Sequence, residues 1–213
     1  MARPIRGAGR KTIPTNDTPG SLKIVQITPI RFEQLWDNYV TGNPYDNPDY
    51  SNQCAIRLSA TLHAVGIEMK SFSQKVIKPA AGKSSIGRIL LGGKATATRA
   101  DEMARWLALK PFAGLPAKPE NVTGASWRDK VGGRTGIIFF GGYWARDGES
   151  GDSVSGGHID LWNGSRFPNN GLRGAATNFM RFTVGKESVD FWGLVPTYSD
   201  LSKAKEILFW HIL

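Results

Sequence analysis

The chain has a single cysteine, Cys54, in the stretch YSNQCAIRLSATLHAVG, where turn-forming residues give way to an amphipathic helix. Free cysteine is among the most buried residue types and commonly serves as packing. At a helix N-terminus, however, unsatisfied backbone N–H groups and the positive end of the dipole lower a thiol pKa and favour the nucleophilic thiolate. The same N–H groups can stabilise an oxyanion forming on an attacked carbonyl. Nucleophile and oxyanion site would then coincide, with Gln53, the preceding residue, either assisting the Cys54 N–H or serving only as a turn residue.

A cysteine nucleophile needs a base, and the three histidines are not equivalent. His63 lies nine residues further along the same helix. At about 100° per residue it faces the opposite side. His211, in ILFWHIL, is flanked by bulky apolar residues and reads as a half-buried strand residue. His158 opens the stretch HIDLWNG directly after Gly156 and Gly157, at the mouth of a long loop, where a side chain is both held and accessible. A helix presenting Cys against a sheet presenting His is the papain-like arrangement, in which imidazole activates the thiol and later protonates the leaving amine. A structural histidine beside a glycine turn is the plainer alternative. Asp160, two residues along the same strand, shares a face with His158 and could orient it, or could simply be a solvent-facing charge.

The elements that must position these residues follow from periodicity. TPIRFEQLWDNYVTG predicts a first helix, with Thr28 as N-cap, Pro29 at the first helical position and Gly42 at the end. Ser51 or Asn52 would cap the cysteine helix, Ala55, Leu58, Leu62 and Val65 would form its buried stripe, and Gly66 would stop it. The Gly, Lys and Ser-rich stretch from Gly82 to Thr98 reads as loop; Thr98 and Asp101 then fit the cap of a third helix that Pro111 ends. TGIIFFGGYWA and HIDLWNG read as strands joined by the long loop RDGESGDSVSGG, and NFMRFTVG, SVDFWGLV and KEILFWHIL as three more. Helices precede an antiparallel sheet, the α+β pattern. Residues 1–23 carry five basic residues against Asp17, with three prolines and three glycines, and read as a flexible basic arm before one domain, 24–213.

Composition narrows the classes further. The net charge of +9 points to anionic partners: nucleic acid, acidic lipid or an anionic cell-wall polymer. One cysteine forbids an intramolecular disulfide and, with three dispersed histidines, a Cys-rich zinc site. No cofactor or metal is expected. GKSSIGRILLGGKAT is not a phosphate loop, since Ile77 and Arg88 stand where the leading glycine should be. The aromatics fall mostly at helix or strand spacing, which favours core packing over nucleic-acid binding. No segment has the pattern of a signal peptide, and none approaches the roughly 20 apolar residues of a membrane span. Cytoplasmic synthesis is therefore expected.

With FEQLWDNY, NQCAIRLSATLHAVGI and GGHIDLWNGS in view, the sequence resembles the family 4 type VI secretion amidase effectors, of the papain-like, NlpC/P60-like class, from about Phe32 to Gly164. The resemblance implies an antibacterial amidase that cleaves peptidoglycan stems between D-glutamate and meso-diaminopimelate in a competitor's periplasm. Cys54 would be its nucleophile and His158 its base; a cognate immunity protein would plug the site, and the secretion machinery would replace a signal peptide. The family places an aspartate eleven residues beyond the histidine, and that count lands on Asn169, so Asn169 and Asp160 compete for the third role. Additional cysteines found in the family are absent. The rival readings are a catalytically silent cell-wall or nucleic-acid binding module and a housekeeping or phage cell-wall peptidase.

Overall fold

A computed structural model describes residues 9–14, 22–50, 52–144, 156–168 and 201–213 of the chain. In chain order the elements are β1 (Gly9–Pro14), β2 (Leu22–Ile27), α1 (Phe32–Asp37), α2 (Cys54–Ala64), β3 (Arg88–Leu91), β4 (Lys94–Ala97), α3 (Ala100–Ala108), β5 (Glu120–Asn121), α4 (Trp127–Val131), β6 (Gly136–Trp144), β7 (Gly156–Trp162) and β8 (Glu206–His211). Helices pack on an antiparallel sheet of order β5-β8-β6-β7, the helix-on-sheet layout of an α+β fold.

The sheet holds together because its strands alternate between two cores. Ile137, Phe139, Ile159, Leu161 and Trp210 join the helices α2 and α3 in one buried cluster. Ile138, Phe140, Trp162, Ile207 and Phe209 join Trp127 and Val131 of α4 in the other. Burial of both faces explains the near-continuous apolar run of β6. α2 is the central helix: Ala55, Ile56, Leu58 and Leu62 are fully buried, and it packs on β7 and β4. Gly66, at φ 89°, ends that helical turn in a conformation that costs glycine least.

Among the described residues β7 is an edge strand of this sheet, paired on one side, with β6, and its outward N–H and C=O groups face whatever lies beside the sheet. The N-terminus of α2 lies there.

Several elements depart from expectation. The Gly82–Thr98 stretch contains a hairpin: Arg88–Leu91 pairs antiparallel with Lys94–Ala97 around Gly92 and Gly93, both at positive φ (56° and 78°). Gly-Gly between two short strands is a hairpin turn rather than a loop. The basic arm contains β1, which pairs with β2 across the arm's end, from Gly9 with Ile27 to Pro14 with Leu22. The first helix starts at Phe32 instead of Pro29, because Ile30 and Phe32 donate their N–H groups to the carbonyls of Ala113 and Leu213. Thr98 does not cap α3, whose N-cap is Arg99; the Thr98 N–H is bonded to Gly87 O. The predicted strands NFMRFTVG and SVDFWGLV lie outside the described residues, as does most of RDGESGDSVSGG, although the strands flanking that loop do pair.

One glycine fixes the middle of the sheet. A Cβ on Gly136 would sit 2.1 Å from the Trp210 carbonyl oxygen of β8. Gly136→Ala is therefore expected to destabilise the protein by about 1–3 kcal/mol. A lowered Tm in thermal unfolding checks this, and an unchanged Tm would show that the β6 and β8 backbones can separate freely.

Candidate active site

The approach to Cys54 is built by backbone capture. A 3₁₀ turn at Pro48–Tyr50 delivers the chain to α2. The side-chain amide nitrogen of Gln53 donates to Tyr45 O at 2.8 Å and Tyr50 O at 2.6 Å, clamping that approach from beneath. Gln53 is itself the N-cap, 3% exposed, and no side-chain oxygen caps the helix. Ser51 lies outside the described residues, and Asn52 is not the cap. With both side-chain N–H protons of Gln53 committed to the turn, its backbone neighbour, the Cys54 N–H, is the available donor at this helix end.

Cys54 is 8% exposed and faces the edge of β7. Its sulfur is in hydrogen-bond contact with the His158 ring and the Ile159 N–H. His158 Nε2 lies 3.5 Å from Asp160 Oδ2, an ion-pair distance slightly long for a hydrogen bond. The imidazole is thus left to meet the thiol through its other nitrogen. Asp160 is 1% exposed, and its Oδ1 accepts the Leu161 N–H at 2.9 Å, which fixes the carboxylate plane. Phe167 closes the far side, its ring edge-on to the imidazole at 5.9 Å.

This arrangement sets the charges. Burial pushes the Cys54 thiol up, but the hydrogen bond and charge of His158, the Ile159 N–H and the charge of Arg57 outweigh it and hold the pKa below its ordinary value. Burial pushes His158 down, but Asp160 and Cys54, through hydrogen bonds and charge, raise it to about 9. Both shifts favour a thiolate–imidazolium pair near neutrality.

The structure also recruits residues that periodicity had assigned elsewhere. Tyr39, part of the apolar stripe in the sequence, has left the helix: the next N–H, that of Val40, is held by Thr61 Oγ1 at 3.0 Å. The Tyr39 hydroxyl is buried near Asp160 and Arg57 without a well-formed hydrogen bond among the described residues. Its pKa is raised well above the usual tyrosine value by burial and the Asp160 charge. Arg57 stands three residues after Cys54 on α2, and its guanidinium donates to Gly42 O at 3.0 Å. That i, i+3 spacing was the available sequence signal, because it sets a cation on the same helical face as the thiol.

The other histidines stay away. His63 Nε2 lies 3.0 Å from Ala95 O of β4. His211 stacks on Phe209 in β8, a strand separated from β7 by β6. Asn169 lies outside the described residues. Among the described residues no cluster of three His, Cys, Asp or Glu side chains could hold a metal ion, and no helix is long and apolar enough to cross a membrane.

A family model described as type VI secretion system amidase effector protein 4, Tae4, matches residues 50–210. The chain belongs to the Tae4 family. The match takes in Cys54, His158 and Asp160. Among solved structures, the chain is similar to the type VI effector Tae4 from Enterobacter cloacae, at 20% identity and a TM-score of 0.49, over 88% of this chain and 99% of that one. No curated protein matches. As a Tae4 effector the protein is a peptidoglycan amidase, an antibacterial toxin that type VI secretion carries into target cells. The housekeeping and silent-binder readings give way to that membership.

Proposed function

We propose that this Tae4 effector is a cysteine amidase that hydrolyses the γ-D-glutamyl–meso-diaminopimelate bond of peptidoglycan stems in the target periplasm. The observation that carries the reading is the line of Cys54, His158 and Asp160 where the N-terminus of α2 meets the edge strand β7. The Cys54 thiolate attacks the γ-carbonyl, and the oxyanion is held by the Cys54 N–H at the uncapped helix end. His158 gives its proton to the departing diaminopimelate nitrogen as the C–N bond breaks, leaving a thioester. Neutral His158 then takes a proton from water; the hydroxide attacks the thioester, and the thiolate leaves with the acid product free. Asp160 holds the imidazole in orientation and stabilises its charged form. A cognate immunity protein covers this edge in the producing cell.

Digestion of purified peptidoglycan followed by mass spectrometry of the fragments tests the bond. Fragments ending in D-glutamate with a free γ-carboxyl, paired with a new diaminopimelate amine, are the expected result. Cleavage elsewhere, such as at the alanyl–glutamate bond, would overturn this specificity while leaving the amidase assignment in place.

A further inference from the structure

A cavity of about 200 Å³ lies beside the reaction centre, lined by Trp36, Tyr39, Thr41, Arg166 and Pro168. It opens to solvent and has room for a carboxylate. Two of its walls are one step from His158. Tyr39 places its buried hydroxyl near Asp160, the partner of the imidazole. Pro168 follows Phe167, whose ring meets His158 edge-on at 5.9 Å.

The lining has the chemistry of anion recognition. Arg166 is exposed, and its guanidinium makes no ion pair or hydrogen bond among the described residues. Its backbone is nonetheless fixed, because Asn163 Oδ1 accepts the Arg166 N–H at 2.8 Å and Asn163 N donates to Arg166 O at 3.2 Å. Its planar guanidinium is suited to two-pronged hydrogen bonding with a carboxylate. Thr41 adds a hydroxyl, and Trp36, held against Phe32 at 5.6 Å, supplies an apolar wall.

The substrate supplies a matching group. A γ-linked glutamyl residue leaves its α-carboxylate free, a few bonds from the attacked carbonyl. Diaminopimelate on the leaving side carries a further free carboxylate. We propose that the Arg166 pocket is a specificity subsite that binds a free carboxylate of the peptide stem and so admits γ-linked stems to Cys54. This rests on the cysteine amidase reading above.

The experiment uses the full chain and three synthetic stem peptides: one unmodified, one amidated at the glutamate α-carboxylate and one amidated at the free diaminopimelate carboxylate. Wild type is expected to lose roughly 10–100-fold in kcat/KM on one of the two amidated peptides, the loss of a hydrogen-bonded charge. Which peptide suffers identifies the carboxylate. Arg166→Ala is expected to raise KM on the unmodified peptide with little change in kcat, and to cleave it and the affected amide equally. Arg166→Lys should recover part of the discrimination. Unaltered discrimination in Arg166→Ala, or none in wild type, overturns the subsite while leaving the amidase reading intact. Failure of wild type to cut the unmodified peptide at the γ-linkage refutes the amidase reading itself. An unchanged Tm in Arg166→Ala separates these outcomes from misfolding.

Discussion

Cys54→Ala is expected to reduce kcat/KM on peptidoglycan stems by at least about 1000-fold, in the range seen when a nucleophile is removed from a group that acts as a unit. The sulfur is the atom on which three contributions converge: the His158 ring, the Ile159 N–H of an edge strand and the field of Arg57. Alanine keeps the helix and removes only the sulfur of a side chain that is 8% exposed, so the fold should survive and Tm should change little. His158→Ala should cost a similar factor. The Cys54→Ala/His158→Ala double variant should be scarcely worse than either single one, because each acts only through the other. Retention of more than a tenth of wild-type activity by a folded Cys54→Ala protein would remove the thiol from the mechanism. Alkylation of wild type by iodoacetamide at pH 7 supplies a second readout, since a thiol held below its ordinary pKa reacts faster than free cysteine.

Why Cys54 and His158, which the structure brings together, stood out in the sequence while other parts did not follows from how local each signal is. Cys54 and His158 announce themselves through their immediate neighbours: a turn-rich approach to an amphipathic run for one, and a Gly-Gly turn entering an apolar strand for the other. The two-faced burial of β6 was equally legible in IIFF. Where the first helix begins was not, because Ile30 and Phe32 take their partners from Ala113 and Leu213, far along the chain. The same holds for Glu102. It occupies the first turn of a helix, where an exposed, dipole-stabilised carboxylate is the ordinary reading. It is instead fully buried and accepts the N–H groups of Ala80 and Gly87 and the guanidinium of Arg99. The approach of Tyr39 to Asp160 joins a helix end to an edge strand, and no short-range pattern encodes it. The hairpin at Gly92 and Gly93 is a different kind of miss, since its turn dipeptide was local and visible.

Asp160→Asn makes the second large effect, and its signature is a shift in pH dependence. In wild type the competent form needs thiolate and imidazolium together, so kcat/KM rises as Cys54 loses its proton, below the ordinary thiol range, and falls as His158 loses its own near pH 9. An asparagine keeps an oxygen acceptor for the imidazole but removes the charge. A hydrogen bond to a charged group contributes about 1.5–3 kcal/mol, so the alkaline limb should move down by roughly one to two pH units. Activity should accordingly fall about 2–10-fold at pH 8 and about 5–50-fold at pH 9, with a smaller loss near pH 6. The stability linkage has the same direction. A histidine raised from 6.5 to about 9 on folding contributes stability that is fully present below 6.5 and is lost as pH rises through 9. The gap in Tm between wild type and Asp160→Asn should therefore narrow above pH 9. The same pH–rate profile decides between the two orienting candidates. If Asn169→Ala moves the alkaline limb and Asp160→Asn does not, the imidazole is oriented from Asn169. A shift confined to Asp160→Asn assigns that role to the buried carboxylate 3.5 Å from Nε2.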